Sequence, residues 1–493
     1  MATLKEQTIS GFFWKAVEKF STFGMNFIFS VLIARILTPA DFGTVTMIGI
    51  FLAISQTFID SGFGTALIRK IDRTQTDYCT VFYFNIAVSC FFYAVLWFCA
   101  PLIAQFYETP ILTPVTRAMG LNLIVGAISG IQGAKLAIDL NFKTGAKITF
   151  FCSIVSGVIG LTLAYNGFGI WTIVAQAVLT GVFRSVMLWM LVKWRPNLIF
   201  SWKSFKELFS FGSKLLASAL LDTGFNNLYP MIIGKFFSPQ TVGFYGQAHA
   251  WASMPSSNLT GIIQSVTFPV LSKMQEDLSA LSAAYTRFLR MSAFIVFPLM
   301  LGLAALAHPL VMTILGAKWE FSATLLSIIC CYMLWYPIHA INLNILQVLG
   351  RSDYFLKLEI IKKIQAVVVL VITVPMGITA MCWGSVISSF ICLIYNTYYT
   401  RKLIGYGFIS QMRDLFPILI QSAIMAIIAW GVSNLFTNIV AGIIAGVVVG
   451  ATYYIGAAKL LRWSELRELI DIAGKVFGGR IHIMRRKIVK END

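Results

Sequence analysis

Seven of the charged side chains that lie inside long apolar stretches of the sequence are candidates for binding or proton transfer. Four are basic and three are acidic: Lys15, Lys19, Arg184, Lys214, Glu18, Asp60 and Asp222. If these stretches cross a membrane, a charge near the bilayer centre costs about 2.5–3.5 kcal/mol. Such residues should face the interior of a helix bundle, form ion pairs, or extend to the interface. Inside a bundle, the basic residues could bind an anion and the acids could bind and release a proton.

The basic residues are candidates for an anion-binding cavity. Lys15, Glu18 and Lys19 have the i, i+3 and i+4 spacing of one helix face. Lys214 lies at a similar depth in its own apolar stretch, and Arg184 lies about two turns from the end of its stretch. We predict that these four basic residues form a cationic vestibule. The alternatives are that the lysines extend to the interface and that Arg184 pairs with another helix.

Among the acids, Asp222 is the leading candidate for proton or ion coupling, before Asp60 and Glu18. No cation lies within one turn of Asp222 on its own helix, because Lys214 is eight residues away. Burial without a close cation favours the protonated carboxyl group. The alternative for each acid is a permanent hydrogen bond or ion pair.

Three histidines are isolated in the sequence: His249, His308 and His339. Isolation of this kind is typical of hydrogen-bonded core residues rather than of a proton relay.

Motifs for soluble enzyme chemistry are missing from the sequence. There is no GxxxxGK[ST] nucleotide loop, no HExxH motif and no DxD pair. The eight cysteines form no CxxC pair, so their spacing indicates neither a zinc site nor a disulfide framework. We therefore expect no catalytic residue, no cofactor and no metal, and an ATP-driven pump is not supported.

The elements that carry these residues are predicted to be membrane-spanning helices. Of the 493 residues, 58% are hydrophobic and only 12% are charged, whereas soluble domains carry about 25% charge. We predict an all-α integral membrane protein with about fourteen transmembrane helices. They lie near 12–36, 42–66, 78–104, 112–134, 146–165, 168–192, 208–235, 243–270, 288–307, 322–348, 356–376, 379–400, 414–434 and 437–458.

The distribution of basic residues predicts the topology. Most of the 38 Lys and Arg residues fall in alternate loops or in the C-terminal tail. Cytoplasmic loops collect such residues, which accounts for the net charge of +17 without a nucleic-acid partner. We expect a multi-pass protein of the inner (plasma) membrane with both termini in the cytoplasm.

The tail, residues 461–493, has apolar residues spaced for one helix face and basic residues elsewhere. The apolar positions are Trp463, Leu466, Leu469, Ile470 and Phe477. This pattern predicts an amphipathic helix on the inner leaflet, attracted by anionic lipid.

An internal repeat relates two segments that are 200 residues apart. Five pairs of residues match without a gap: Ile33 with Ile233, Arg35 with Lys235, Thr38 with Ser238, Pro39 with Pro239, and Gly43 with Gly243. In both segments a basic residue ends one helix, Ser or Thr followed by Pro turns the chain, and Gly opens the next helix. The offset spans six predicted helices, so the repeats have the same orientation. Two parallel six-helix lobes around a cavity are a recurring transporter design.

Several segments together resemble the lipid-linked polysaccharide flippases. They are IARILTPADFG (33–43), DSGFGTALIRK (60–70), RPNLIFSWKSFKELFSFGSKLL (195–216) and LGAKWEFSATLLSIICC (315–331). The resemblance is to the colanic-acid exporter type of the multidrug/oligosaccharidyl-lipid/polysaccharide (MOP) exporter superfamily. It implies two lobes in a V around a central cavity, 1–193 and 208–400, joined by a cytoplasmic linker, 194–207. Two further helices, 401–460, and the tail would follow.

The resemblance also implies a substrate and a mechanism. The substrate would be an undecaprenyl-pyrophosphate-linked oligosaccharide repeat unit. It would move from the cytoplasmic to the periplasmic leaflet by alternating access, and either an ion or proton gradient or consumption of the product by a polymerase would give the direction. The product would supply exopolysaccharide, colanic-acid-like or O-antigen assembly, with polymerase and chain-length machinery as partners. Lys15, Lys19, Arg184 and Lys214 are candidates for the pyrophosphate by position, not by a matched motif.

Other functions stay open at this point. A multidrug cation antiporter of the same superfamily would favour acidic and aromatic residues in the cavity. A flippase for teichoic-acid or peptidoglycan precursors would be close in mechanism. A membrane polymerase or ligase would need a large outer loop with catalytic residues, and every predicted outer loop is short.

Overall fold

The computed structural model describes residues 24–60, 63–70 and 72–471, and every regular element within them is helical. Up to residue 246 the helices are α1 (Gly24–Ile36), α2 (Pro39–Met47), α3 (Gly49–Asp60), α4 (Phe63–Arg69), α5 (Gln75–Phe106), α6 (Leu112–Ile138), α7 (Phe142–Tyr165), α8 (Ile170–Leu191), α9 (Trp202–Asn226), α10 (Leu228–Phe236) and the start of α11 (Pro239–Ser272).

The remaining helices complete an all-α architecture. They are α12 (Leu278–Ala305), α13 (Ala307–Ile314), α14 (Glu320–Met333), α15 (Tyr336–Val348), α16 (Ser352–Thr373), α17 (Ile378–Ile404), α18 (Phe408–Asn434) and α19 (Ile439–Leu460). Residues 464–471 form a last described helix, α20. Short 3-10 turns at Ala317–Trp319 and Val374–Met376 precede α14 and α17.

Ten helical segments among the described residues are long and apolar enough to cross a membrane. The predicted spans near 208–235, 243–270 and 356–376 are also helical, over α9–α10, α11 and α16, but are not among the ten. The first predicted span is described only from Gly24 onward. The all-helical membrane fold is therefore confirmed, and the count of fourteen spans stays a prediction.

Two glycines close helical hairpins that the short apolar breaks predict. Gly167, with φ of +77°, lies between α7 and α8, and Gly377, with φ of +96°, lies between α16 and α17. Positive φ is strained for residues with a Cβ atom, so glycine makes these turns at little cost. In both hairpins the next helix starts within three residues of the glycine.

The chain divides into two compact units, residues 1–246 and 247–493. In unit 1, α5 to α8 pack together and α9 packs on α3, α4 and α5. A buried cluster that includes Phe63, Leu67 and Phe82 joins these helices to Trp194 of the segment before α9. The Trp194 indole donates to Gln75 Oε1 over 2.8 Å. The predicted linker 194–207 is thus an ordered, packed segment.

In unit 2, glycines let α19 approach α18 closely. A Cβ atom on Gly442 would lie 2.5 Å from the Ser433 carbonyl oxygen, and one on Gly446 would lie 2.6 Å from that of Ala429. Small residues at a spacing of four bring membrane helices into backbone contact. The two C-terminal helices therefore form one tightly packed pair.

Helix α20 packs on protein, which differs from the predicted leaflet-bound position of its apolar face. Trp463, Leu466 and Leu469 contact a buried cluster that includes Phe294 and Tyr454. Ion pairs explain this docking, because Arg287 and Arg290 of α12 face the acids of α20, as described below. Residues beyond 471, including Phe477, lie outside the described part of the chain.

Candidate functional site

The two copies of the internal repeat start helices in the same way. Thr38 precedes α2, and its hydroxyl accepts from the Asp41 backbone amide while the Asp41 carboxylate accepts from the Thr38 amide. Ser238 precedes α11, and its hydroxyl accepts from the Thr241 amide over 3.2 Å. Proline follows each capping residue, where its missing N–H costs nothing. The predicted turn at Ser or Thr followed by Pro is therefore confirmed, but each helix begins at that proline and not at Gly43 or Gly243.

The repeats also contact each other within unit 1. A Cβ atom on Gly43 would lie 1.7 Å from the Pro239 carbonyl oxygen, and one on Gly243 would lie 1.9 Å from that of Pro39. The contact is reciprocal, as expected of two equivalent segments that meet about a local two-fold axis. We call residues 39–43 and 239–243 the repeat contact. No larger residue fits at either glycine while the helices stay this close.

The basic member of the second repeat ends α10 as predicted. Lys235 Nζ donates to the Phe106 carbonyl oxygen over 2.7 Å and lies 3.3 Å from Glu108. Its ammonium also lies 5.1 Å from the centre of the Phe106 ring. Lys235 therefore fixes the end of α10 to the connection between α5 and α6.

Two of the predicted coupling acids lie near one contact between α3 and α9. The hydroxyls of Thr57 and Thr223 are 3.0 Å apart, and Asp60 and Asp222 lie within one turn of them. Gln56 donates to Asp60 Oδ1 over 3.0 Å. Both acids are exposed at the surface of the described protein. The structure thus places Asp60 and Asp222 on neighbouring helices.

Lys70 ties the end of α4 to α5 and α9. Its ammonium lies 3.2 Å from Asp77 and 3.1 Å from Glu207. Burial acts to lower the pKa of Lys70, but the hydrogen bonds to Glu207 and Asp77 outweigh it and raise that pKa. The ammonium therefore stays charged, and it links the end of α4 to α5 and α9.

Arg184 lines a small cavity between α6, α7 and α8. The cavity has a volume of about 90 Å³, and Asn141 and Thr149 contribute its other polar side chains. Arg184 is exposed to this space. Helix α8 packs on α2, α6 and α7, whereas α9 packs on α3, α4 and α5. Arg184 of α8 and Lys214 of α9 therefore lie on helices that pack mainly on different neighbours.

The remaining members of the predicted vestibule cannot be placed. Lys15, Glu18 and Lys19 lie outside the described residues. Lys214 lies on α9, eight residues before Asp222 as expected, but its side chain is also outside the described part. The cationic vestibule therefore stays a prediction.

The sequence analysis missed a polar cluster in unit 2. Lys362 Nζ lies 3.3 Å from Glu359 Oε1, and its side chain is only 15% exposed. Gln365 of the same helix donates to Ser388 and accepts from the Cys392 thiol. Lys362 lies near the start of the predicted span 356–376 and was not among the candidate charged residues. Helix α16 begins at Ser352, so Lys362 lies about 15 Å inside it.

The signal for this cluster was the spacing of its residues. Glu359, Lys362 and Gln365 recur every three residues, which places them on one helix face.

Within residues 24–60, 63–70 and 72–471, no group of three or more His, Cys, Asp or Glu side chains is arranged to hold a metal ion.

A second polar network joins four helices of unit 2. Asn342 Oδ1 accepts from Tyr285, Thr400 and Gln411 over 2.8–3.0 Å. Asn342 Nδ2 donates in turn to Gln411 Oε1 and to the Ile338 carbonyl oxygen. All four side chains are buried. We call these residues the Asn342 network; it fixes α12, α15, α17 and α18 to one another.

Comparison with known proteins gives the family of this chain. Residues 32–324 match the family described as polysaccharide biosynthesis protein. The teichuronic acid biosynthesis protein TuaB of Bacillus subtilis is 24% identical over 88% of this chain and 90% of its own length. The lipopolysaccharide biosynthesis protein WzxC of Escherichia coli is 24% identical over 73% of this chain and 74% of its own length.

The fold has a counterpart among solved structures. The lipid II flippase MurJ, in an inward closed conformation, superposes with a TM-score of 0.71 and 14% identity over 91% of this chain and 99% of that one. At 14% sequence identity, this similarity supports a shared fold and no statement about function. The chain is a multi-pass membrane protein with the fold of the MOP exporter superfamily, and it belongs to the polysaccharide biosynthesis protein family.

Proposed function

We propose that this protein flips an undecaprenyl-pyrophosphate-linked oligosaccharide from the cytoplasmic to the periplasmic leaflet of the inner membrane. The family match over residues 32–324 supports a role as a transporter in polysaccharide biosynthesis. The repeat contact is the geometric observation that carries the mechanism, because it joins two equivalent segments at one end of their helices. The flipped unit would supply a polymerase on the outer face.

The physical problem is the head group, because the prenyl tail can remain in lipid. A polar, anionic head group must cross about 30 Å of hydrocarbon. Arg184, in its polar cavity, supplies positive charge within the helix bundle of unit 1. Lys15, Lys19 and Lys214 would extend that charge toward the cytoplasmic side. A guanidinium suits the pyrophosphate because it donates two parallel hydrogen bonds.

Alternating access requires the repeat contact to open. The glycines hold the two repeats at backbone distance, so the structure is closed at this contact. Separation of the two repeats would expose a head group on that side, and the glycine contact would re-form afterwards. Packed interfaces of this kind switch between discrete states rather than deforming continuously.

An ion or proton gradient would give the transport its direction. The sequence contains no nucleotide-binding loop. Movement of one charge across 100 mV supplies about 2.3 kcal/mol. Asp222, Asp60 and Glu18 are the coupling candidates, and the first two flank the contact between Thr57 and Thr223.

Transport by reconstituted protein tests the proposal. Proteoliposomes would carry an undecaprenyl-pyrophosphate-linked oligosaccharide with a fluorescent sugar on the inner leaflet. We expect the protein to make the sugar accessible to an external glycosidase. A protein that moves cationic dyes but not the lipid-linked sugar would instead be a multidrug antiporter, and the proposal would be wrong.

A matched pair of variants tests the anion-binding role of Arg184. Arg184→Gln should slow flipping about tenfold or more, because one charge-assisted contact is worth about 1.5–3 kcal/mol. Arg117→Gln is the control, since Arg117 lies over the Trp97 ring at 4.4 Å and lines a separate surface cavity. Equal flipping rates in the two variants, at equal protein levels, would rule out the Arg184 site.

A further inference from the structure

The connection between α8 and α9 carries an exposed apolar surface. Leu198 is 95% exposed, Phe200 is 42% exposed and Trp202 is 68% exposed. Ile199 is exposed as well. We call Leu198, Ile199, Phe200 and Trp202 the linker patch. Single exposed apolar residues are common on proteins, but a contiguous group of large ones indicates a surface that meets a partner or a membrane.

The backbone beneath the linker patch is fixed to the start of α5. The Ser201 amide donates to the Thr80 hydroxyl over 3.1 Å. The Arg195 carbonyl oxygen accepts from the Gln75 side chain over 2.9 Å. These contacts hold one side of the linker against unit 1, so the patch presents its side chains outward in a defined arrangement.

Aromatic rings connect the linker patch to the interior of unit 1. The ring centre of Trp202 lies 5.3 Å from that of Phe200 and 5.5 Å from that of Phe205. Phe205 in turn lies 5.8 Å from the buried ring of Phe63. The patch is therefore the outer edge of a packed aromatic cluster.

Basic residues border the linker patch, and the sequence has no acidic residue between positions 193 and 206. The exposed basic side chains are Lys193, Arg195, Lys203 and Lys206. Arg195 donates to backbone carbonyl oxygens at the end of α8, so the three lysines are the candidates for an external anion. An apolar surface with a basic border complements an anionic leaflet, because acyl chains surround the apolar side chains and phosphates attract the lysines.

The position of the linker patch in the chain favours lipid over a protein partner. Helix α8 is long and apolar enough to cross a membrane, and only residues 192–201 connect it to α9. The next predicted span begins within α9, so the connection must stay near the membrane surface. Tryptophan is enriched at this boundary between lipid and water. The predicted topology places this end of α8 on the cytoplasmic side.

We propose that the linker patch is a lipid-binding surface of the inner leaflet, with anionic phospholipid as its ligand. The patch enters the boundary between head groups and acyl chains to a depth of about 5–10 Å. The three lysines at its border contact the lipid phosphates. This surface does not depend on the proposed transport function.

Quenching by brominated lipid tests the insertion of the patch. In a background without native cysteines, Leu198→Cys would carry a bimane fluorophore in vesicles of lipid brominated on its acyl chains. We expect the bromines to quench this fluorophore strongly and aqueous iodide to quench it weakly. The substitution should leave the fold intact, because Leu198 is almost fully exposed.

A second labelled position controls for the fluorophore itself. Glu276 is exposed in another predicted cytoplasmic connection, between α11 and α12. The same fluorophore on Glu276→Cys should show the opposite pattern, with strong quenching by iodide and weak quenching by the bromines.

Two brominated lipids with different head groups test the ligand. Brominated phosphatidylglycerol should associate with the patch at least about fivefold better than brominated phosphatidylcholine, as expected for one lysine near an anionic surface. Lys193→Gln combined with Lys203→Gln should remove most of this preference. Lys193→Arg combined with Lys203→Arg should keep it, because the charges remain.

Two results would overturn the proposal. One is a fluorophore at Leu198→Cys that iodide quenches and brominated lipid does not, which would leave the patch to a protein partner. The other is equal association of the two brominated lipids with the patch when all three lysines are present.

Discussion

At the residue scale, two glycines determine how closely the internal repeats meet. A Cβ atom 1.7 Å from a carbonyl oxygen cannot exist, so Gly43→Ala must separate α2 from α11. We expect a loss of stability of about 1–3 kcal/mol, as for other overpacked sites, together with loss of transport. Gly243→Ala should behave alike, because a Cβ atom there would lie 1.9 Å from the Pro39 oxygen.

The repeat supplies its own control for this prediction. Gly24 and Gly224 also match across the repeat, and a Cβ atom on either would meet no other described residue within 4 Å. Gly24→Ala and Gly224→Ala should therefore keep the wild-type melting temperature and flipping rate. Gly43→Ala with wild-type values for both would contradict the repeat contact.

The sequence predicted the equivalence of these residues but not their contact. A match such as Pro39 with Pro239 shows that two segments share a local structure. It carries no information about distance, because that depends on how the intervening helices pack. The same holds for Lys362, because the sequence predicts a span over 356–376 but does not show that this lysine is largely buried beside Glu359. Glu359, three residues earlier, forms an ion pair with Lys362 that offsets the cost of burying its charge.

At the element scale, the Arg290–Glu465 ion pair holds α20 against α12. Glu465 is 5% exposed and lies 2.5 Å from Arg290, which also lies 3.4 Å from Asp414 of α18. Glu465→Gln should lower stability by about 2–3 kcal/mol. This is less than for a fully buried pair because Arg290 is 30% exposed. The melting temperature of purified protein measures the loss.

A neighbouring ion pair provides the control for Glu465. Arg287 and Glu468 lie 2.8 Å apart, but Arg287 is 67% exposed. Glu468→Gln should therefore cost no more than about 1 kcal/mol. Combining Arg290→Met with Glu465→Leu removes both members of the buried pair, but it leaves Asp414 without its cation, so we expect only part of the loss to be recovered. Equal losses for Glu465→Gln and Glu468→Gln would argue against a buried pair.

The amphipathic pattern of this segment was predicted, but its partner was not. Trp463, Leu466 and Leu469 form an apolar face that suits a lipid surface and a protein surface equally well. The charged residues on the rest of the helix decide between a lipid surface and a protein surface. Glu465 and Glu468 find arginines on α12, and an anionic leaflet would have repelled them.

At the scale of the whole molecule, hydropathy and loop charge predicted the helices well. Most predicted spans coincide with one helix, as for 112–134 with α6 and 414–434 with α18. The predicted spans over α9 and α16 are also helical, but polar residues make these helices less apolar than the ten most hydrophobic segments. These helices carry the polar residues that pack inside the units, so hydropathy alone gives them the weakest signal.

The topology of the whole chain can be tested with two engineered cysteines. Glu108 lies between α5 and α6 with its side chain 84% exposed, and Asp353 lies at the start of α16 with its side chain 50% exposed. Seven predicted spans separate them, so they should face opposite sides of the membrane. In a background without native cysteines, a membrane-impermeant maleimide should label Glu108→Cys in intact cells. It should label Asp353→Cys only after the cells are opened.

Labelling of both positions from outside would require an even number of crossings between them. Labelling of Asp353→Cys alone from outside would reverse the orientation. Either result would contradict the prediction that both termini are cytoplasmic.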